Sequence, residues 1–297
     1  MHKRGLGLAG LMASHSLCAM AAPNAPTLTV GPDFAVAGTV DTKPARFQML
    51  PNGSSTLVLN PDAAARFGAK GGWLAVKVKV GPVAIKGNTA VMRFSADGTP
   101  SRRRIGWFER PLAPGYDGAL GPAAVPQSVV IFQLRAPAAG ERQTVLPLVD
   151  RGYGGMGTVI TVGHQPIFVE WALTKPHNGA TAAAGAAIAA AHGGQFTSRP
   201  FGEPMAFGVI RPVRRVGLSQ PLAIGPLRID ALVTRTSDYG DTSSIPESDA
   251  DPGEIVVTGR GKSSKAIYSM EIGRDAMQSC SSLTFDKPRR LITLSCR

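Results

Sequence analysis

The sequence has few charged side chains, few aromatic side chains and few cysteines. Charged residues make up 18% and aromatic residues 6% of its 297 positions, and there are three cysteines. Beyond the N-terminal segment, no apolar run reaches the roughly 20 residues that a transmembrane helix needs. These absences argue against a membrane protein, a coiled coil and a helical solenoid. Glycine and proline are abundant, with 35 and 24 residues, which is typical of a turn-rich β protein.

Residues 1–21 have the pattern of a secretory signal peptide. Lys3 and Arg4 precede an apolar segment that ends in Ala19-Met20-Ala21, a small-x-small cleavage site. The alternative is an internal helix, which the three glycines among the first ten residues oppose. We therefore expect an exported protein, either periplasmic or secreted.

The cysteines predict one disulfide. Cleavage of the signal would remove Cys18 and leave Cys280 and Cys296, which in an exported chain most simply pair with each other. Between them lie two alternating runs, Ser282–Phe285 and Leu291–Leu294, separated by a turn. We predict a C-terminal β-hairpin whose disulfide stabilises the fold by roughly 3 kcal/mol.

The rest of the chain predicts an all-β sandwich or barrel with two short helices. Alternating or β-branched runs recur between turn residues at Thr27–Val30, Leu74–Val80, Val129–Leu134, Thr158–Val162 and Leu227–Val233. The first helix is predicted at Asn60–Gly68, from an N-cap residue, a proline at the first position and a glycine stop. The second is an Ala-rich run, Ala180–His192, which Gly193 and Gly194 close.

Two segments share an order of features that favours an internal duplication. One runs from Pro44 to Gly72 and the other from Pro166 to Gly194, and each contains a strand, an Asn-Gly turn, an Ala-rich helix and a Gly-Gly pair. The alternative is chance similarity between two stretches rich in glycine and alanine. Gly152–Gly157 lies between them and fits G-x-G-x-x-G, but a strand pattern follows it, so we interpret it as a flexible joint rather than a dinucleotide site.

The motifs within this duplication are similar to those of a known family. In the first part Phe47–Leu50 runs into Pro51–Thr56 and a helix, and Asp117–Gly121 follows later; the second part has Leu222–Leu227. Over residues of about 30–245 this order resembles the aspartic proteases in their bacterial retropepsin-like form. The resemblance implies a mainly β fold with two similar β-barrel lobes and short helices, to which the disulfide hairpin is added.

The expected organisation has four parts. They are a signal peptide at 1–21, an N-terminal lobe at 22–150, a C-terminal lobe at 151–245, and a linker with the hairpin at 246–297. Asp241–Gly253 is acidic and rich in turn residues, which predicts a disordered linker. Glu254–Arg260 resembles the segment that outer-membrane receptors offer to TonB, although an ordinary strand is the alternative.

The chain departs from the family at the catalytic positions. Each lobe of an aspartic protease contributes one Asp, and the two carboxyls share a proton. Pro51 stands at the first Asp position, before Asn52 and Gly53. Matching the Asn-Gly pairs places His177 at the second, before Asn178 and Gly179. Because neither proline nor a single histidine can replace the pair, the resemblance implies a protein without catalytic residues, in which these six residues line the floor of the cleft.

We therefore expect an exported pseudo-enzyme that binds a peptide or protein segment, or an envelope component, in the cleft between the lobes. One alternative is an active aspartic endopeptidase with a carboxylate not placed by these motifs. Another is a structural envelope protein that acts through its tail.

Other chemistry is weakly represented. The spacing of His164, His177 and His192 fits no short metal-binding motif, and we expect neither a metal nor a cofactor. Arg102–Arg104 and Arg214-Arg215 are the densest basic sites in a chain of net charge +12, and they could hold an anionic envelope component or lie in a solvated loop. Export and the lack of interleaved aromatic residues argue against nucleic acid.

Overall fold

A computed structural model describes residues 26–238 and 266–297. In this part of the chain 21 strands form three sheets, and there are two α-helices. The prediction of a mainly β fold is therefore confirmed. The predicted signal peptide, the acidic linker Asp241–Gly253 and the segment Glu254–Arg260 lie outside the described residues.

The first sheet has seven strands and closes into a barrel. Its strands are β2 (Ala35–Val40), β3 (Lys43–Met49), β4 (Val58–Leu59), β5 (Ala75–Val80), β6 (Val83–Ala96), β7 (Thr99–Phe108) and β8 (Gly118–Leu120). They are ordered β2-β3-β8-β4-β7-β6-β5, and β2 also pairs with β6. Six strands therefore close a barrel, and β5 continues the sheet beyond β6 as half of a hairpin.

The second sheet has nine strands. They are β11 (Val149–Asp150), β12 (Met156–Val162), β13 (Gln165–Trp171), β14 (Gly179–Ala180), β15 (Gly194–Phe196), β16 (Phe201–Pro204), β17 (Ile210–Ile224), β18 (Leu227–Arg235) and β19 (Ser269–Ile272). The order is β11-β12-β13-β19-β14-β18-β17-β15, and β16 also pairs with β17. The strand β19 comes from the segment predicted as linker and tail, yet it lies between β13 and β14.

The third sheet contains the predicted hairpin. Its order is β1 (Thr27–Val30), β9 (Val129–Gln133), β20 (Cys280–Asp286), β21 (Leu291–Cys296) and β10 (Arg142–Pro147). The disulfide between Cys280 and Cys296 joins directly opposed residues of β20 and β21, as predicted. The hairpin is not an appendage, because β9 and β10 pair with its two outer edges.

Both helices form where the sequence predicts them. The helix α1 (Pro61–Phe67) follows Asn60 and ends at Gly68, which has a positive φ of 74°. The helix α2 (Ala182–His192) begins two residues later than predicted, because Gly179 and Ala180 form a strand. Thr181 then caps α2 by accepting a hydrogen bond from the Ala184 N–H.

One core joins the three sheets. Phe285 of the hairpin lies between Phe132 of β9 and Trp171 of β13, with ring centroids 5.9 and 6.3 Å away. All three rings are fully buried. The C-terminal hairpin therefore supplies part of the core that the other two sheets share. No helix within the described ranges is long and apolar enough to cross a membrane.

Candidate functional site

Two loops occupy equivalent places in the first two sheets. Loop A, residues 50–57, connects β3 to β4, and β8 lies between these two strands, parallel to β3 and antiparallel to β4. Loop B, residues 172–178, connects β13 to β14, and β19 lies between them with the same two directions. In addition, β4 runs parallel to β7, as β14 does to β18. This shared pairing order is the strongest structural support for the predicted duplication.

A glycine after the middle strand supports each loop. A Cβ atom on Gly121, which follows β8, would collide with the carbonyl group of Gly53 in loop A. A Cβ atom on Gly273, which follows β19, would collide with the carbonyl of His177 in loop B. The backbone of each loop thus packs directly on a glycine, and any larger residue at either position would displace the loop.

The six residues predicted at the cleft floor lie in or beside these loops. Pro51 is buried in loop A, and Asn52 and Gly53 follow it, half-buried. In the other sheet His177 is half-buried and Asn178 is buried at the end of loop B, whereas Gly179 is the first residue of β14.

The strand register aligns loop A with loop B in a different way from the alignment that superposes their Asn-Gly pairs. Gln48 pairs with Ala119 and Glu170 pairs with Glu271, so Gln48 and Glu170 are equivalent and Pro51 corresponds to Leu173. His177 lies four residues further along. The two Asn-Gly pairs also differ in structure, because the Asn178 side chain is a buried link that accepts from the Gly273 N–H and donates to the Ala231 carbonyl.

In the second sheet the middle strand is a different one from the strand that the sequence indicates. An Asp next to Tyr, as in Tyr116-Asp117 before β8, recurs at Asp238-Tyr239, but the counterpart of β8 by strand pairing is β19, about thirty residues further on. Asp238 instead accepts hydrogen bonds from the N–H groups of Ala182 and Ala183 at the start of α2. The apolar-Gly pair Ile272-Gly273, like Leu120-Gly121, is the sequence signal that identifies the true counterpart.

Neither loop contains a carboxylate. Loop A reads Leu-Pro-Asn-Gly-Ser-Ser-Thr-Leu and loop B reads Ala-Leu-Thr-Lys-Pro-His-Asn. The imidazole of His177 lies with Nε2 3.1 Å from the Glu203 carboxylate, which comes from β16. The loops therefore offer amide, hydroxyl, imidazole and ammonium groups, but not a pair of acids that share a proton.

A carboxyl pair does lie next to loop B, and sequence reasoning missed it. Glu170 of β13 and Glu271 of β19 are direct partners on adjacent parallel strands. Burial and the neighbouring charge of Glu271 raise the pKa of Glu170 to about 8, while Arg151 and Lys175 oppose the rise. Lys175 of loop B holds Glu271 in an ion pair, with Nζ 2.6 Å from Oε2. The signal was an acidic residue within each of two otherwise apolar runs, residues 167–171 and 270–272.

A small cavity of about 90 Å³ opens beside this pair. Its lining mixes both signs of charge and includes Glu170, Glu203, Glu271, Lys175 and Arg235. At roughly 30 Å³ per water molecule, it has room for a few waters or for one short side chain. Within the described parts of the chain no group of three His, Cys, Asp or Glu side chains is arranged to hold a metal ion.

A second, separate apolar cluster joins the first two sheets. Phe207, in the turn Met205–Val209 between β16 and β17, packs against Val58, Ile85 and Phe108 of the barrel sheet. The rings of Phe207 and Phe108 meet edge to face with centroids 4.9 Å apart. We call the space bounded by Val58, Ile85 and Phe108 the aromatic slot. Val58 is the first residue of β4 and follows loop A directly.

The predicted basic sites lie on strands and not in solvated loops. Arg102, Arg103 and Arg104 belong to β7, where Arg104 donates to Thr89 Oγ1 and Arg103 to the Ala123 carbonyl. Arg214 and Arg215 belong to β17 and lie over the rings of two phenylalanines.

Comparison of the sequence with models of known protein families and with curated proteins gives no match.

Proposed function

We propose that the protein is an exported, non-catalytic relative of the aspartic proteases that binds an extended peptide between its seven-stranded and nine-stranded sheets. The observation that carries this proposal is the chemistry of loops A and B. By the resemblance, loops A and B correspond to the two catalytic loops of the family, and they contain no carboxylate. Without a pair of acids at these positions, the loops lack the two carboxyls that share a proton in the aspartic protease mechanism.

Incubation with an unstructured peptide library from pH 3 to 8 tests this function. Each reaction is run with and without a transition-state-mimicking inhibitor of aspartic proteases, and peptides retained by the immobilised protein are identified in parallel. We expect retention of a subset of peptides and no cleavage at any pH. Inhibitor-sensitive cleavage that peaks at acid pH would overturn the non-catalytic assignment.

The carboxyl pair supports a second candidate, an acid endopeptidase that uses Glu170 and Glu271. A protonated carboxyl beside an ionised one is the combination that acid proteolysis requires, and here Glu170 keeps its proton to about pH 8 while Lys175 pairs with Glu271. If cleavage occurs, Glu170→Gln and Glu271→Gln must each abolish it, whereas Glu109→Gln at an exposed site must not. Cleavage that survives both substitutions would eliminate this candidate.

A further inference from the structure

The hairpin of β5 and β6 has two different faces. On one face Val76 and Val78 of β5 pack against the apolar cluster that surrounds the aromatic slot. The other face carries Lys77 of β5 and Lys86 of β6, which are both exposed, because side chains alternate between the two faces of a strand. The hairpin therefore presents a basic surface on the side that faces away from the slot.

The two lysines are direct partners across the hairpin. Lys77 pairs with Lys86 in the β5–β6 ladder, and like charges in opposed positions destabilise a sheet. Within the described parts of the chain, neither ammonium group is ion-paired with a carboxylate. An anionic group bound between them would interact favourably with both and would relieve their repulsion.

The lysines border an open groove of about 680 Å³. This volume is within the roughly 300–1,000 Å³ that small-molecule sites occupy. Asn88 of β6 and Trp107 of β7 also line the groove, and they are direct partners and so lie on the same face of the sheet. Trp107 is half-buried and packs against the main core, which restrains its ring. The groove thus combines an aromatic ring, an exposed amide and two ammonium groups.

We propose that this basic groove, defined by Lys77, Lys86, Asn88 and Trp107, binds an acidic polysaccharide, a chain of sugar rings that carry carboxylates. A sugar ring has a face of C–H bonds that packs on an aromatic ring, and its hydroxyl groups bond to an amide. Its carboxylate pairs with ammonium groups. Each chemical group of the ligand therefore has a counterpart in the groove. The inference goes beyond the proposed peptide binding, because it concerns the barrel sheet alone.

A second tryptophan next to the groove favours a polymer over a single sugar. Trp73 is 89% exposed and lies two residues before β5. The segment that leads to it is anchored beside the groove: the Gly72 N–H donates to the Thr89 carbonyl at 2.9 Å, and Gly71 lies against the Asn88 side chain. A ligand longer than one sugar ring would reach from Trp107 toward this second ring.

Shape and chemistry favour a polysaccharide over a lipid bilayer or an acidic peptide. The groove is concave, whereas the surface of a bilayer is flat at this scale. Acidic side chains of a peptide would pair with the lysines, but they would leave the aromatic ring of Trp107 unused. Among the described residues that line the groove, Glu109 is the only acidic one, and the two lysines outnumber it.

Isothermal titration calorimetry of the purified chain at low salt tests the ligand class. The probes are a short oligogalacturonate, its methyl ester and an oligoglutamate of equal charge. We expect the oligogalacturonate to bind, and the methyl ester to bind at least tenfold more weakly because it lacks the charge. The oligoglutamate should also bind at least tenfold more weakly, because it has no sugar ring to pack on Trp107. Equal affinity for any two of the probes, or no binding of the oligogalacturonate, would overturn the proposal.

Substitutions of basic residues locate the site. Lys77→Gln with Lys86→Gln should weaken binding of the oligogalacturonate by at least tenfold. The control, Arg142→Gln with Arg228→Gln, removes the same charge from exposed positions of the other two sheets and should have little effect. An equal loss in both double variants would show that net charge and not the groove attracts the ligand, and would overturn the assignment.

Substitutions of uncharged residues test the contribution of the sugar ring. Trp107→Leu keeps an apolar contact with the core and removes the aromatic ring, and it should weaken binding at least fivefold. Asn88→Ala, at an exposed position, should also weaken binding and keeps the test open even if Trp107→Leu does not fold. Unchanged affinity in Asn88→Ala and in any folded Trp107→Leu would refute the proposed contacts.

Two further measurements separate this inference from other functions. Phosphatidylglycerol vesicles should not displace the oligogalacturonate, and complete displacement would assign the groove to a lipid surface instead. Retention of library peptides should be the same for the wild type and for Lys77→Gln with Lys86→Gln. Failure of peptide binding therefore leaves the groove intact, and loss of peptides together with the oligogalacturonate in this variant would contradict the separate site.

Discussion

At the scale of single residues, Glu170 is the side chain whose ionisation differs most from that of a free glutamate. Its pKa rises from 4.5 to about 8 on folding, mainly because the carboxyl is buried. The folded protein therefore binds a proton that the unfolded chain has released. This contribution to stability is complete below about pH 4.5 and is lost as the pH rises through 8.

We predict that Glu170→Gln removes this pH dependence. Glutamine keeps the hydrogen-bonding shape without a charge, and the equivalent position in the barrel sheet already carries Gln48. Urea unfolding at pH values from 4 to 9 should show similar stability at pH 4, and at pH 9 a variant more stable than the wild type by roughly 2–5 kcal/mol. Parallel pH profiles for the two proteins would contradict the prediction. Glu109→Gln, at an exposed site, should behave as the wild type does.

Glu141 is the opposite case. The hydroxyl groups of Ser281 and Ser295, the Ala138 N–H and the Arg135 guanidinium all favour its ionised form and lower its pKa to about 2. Because the unfolded carboxyl titrates near 4.5, this stabilisation is present above that pH and is lost as the pH falls through 2.

We expect Glu141→Gln to shift the acid unfolding transition to higher pH. The substitution loses the charge-assisted bonds that connect residues before β10 to Ser281 of β20 and Ser295 of β21. Circular dichroism followed from pH 6 to pH 2 measures the midpoint. Asp62→Asn, on the exposed side of α1, is the control, and an unchanged midpoint in Glu141→Gln would refute the role assigned to these bonds.

At the scale of elements, the disulfide of the C-terminal hairpin makes a contribution to stability that can be measured. Its disulfide joins opposed residues of β20 and β21, and both strands lie inside a five-stranded sheet. The double substitution Cys280→Ser and Cys296→Ser should lower the free energy of unfolding by about 3 kcal/mol. Thermal unfolding measures the loss, and the wild type in reducing agent should show the same decrease. Full stability after reduction would contradict this account.

Elements with a local signal could be predicted from the sequence. The alternation of Thr27–Val30 matches β1, and the proline and glycine around α1 mark its ends. The hairpin followed from two alternating runs between cysteines. Asn60 shows the limit of such signals, because its side chain does not cap α1. It bonds instead to the backbone at Leu112, Ala113 and Tyr116, which only the folded chain brings near.

Long-range pairing explains what the sequence left undetermined. The position of β19 depends on its pairing with β13 and β14, which lie about a hundred residues earlier in the chain. Because β19 has only four residues, its sequence pattern is too short to indicate these partners. The carboxyl pair of the candidate site could not be predicted from the sequence for the same reason. Glu170 and Glu271 are far apart in the chain, so their pairing appears only when β19 is in place.

At the scale of the whole molecule, the chain has a net charge of +12, and part of its positive charge lies on the surface of the barrel sheet. Arg93 of β6 and Arg102 of β7 are exposed and directly opposed across the two strands. Like charges in opposed positions destabilise a sheet, so a bound anion would relieve their repulsion. The Asp41 carboxylate contacts this region by accepting a hydrogen bond from the Arg93 backbone N–H.

We therefore predict that this pair contributes to binding of an anionic envelope component. Arg93→Glu with Arg102→Glu should weaken association with vesicles of phosphatidylglycerol by at least fivefold, and added salt should weaken the wild type similarly because it screens the attraction. Arg142→Glu with Arg228→Glu changes the net charge equally at exposed positions of the other two sheets. An equal loss in both double variants would show that net charge, and not the barrel surface, governs the attraction. Binding to neutral phosphatidylcholine vesicles as strong as to anionic ones would exclude an electrostatic partner, and peptide binding between the sheets would then be the remaining proposed function.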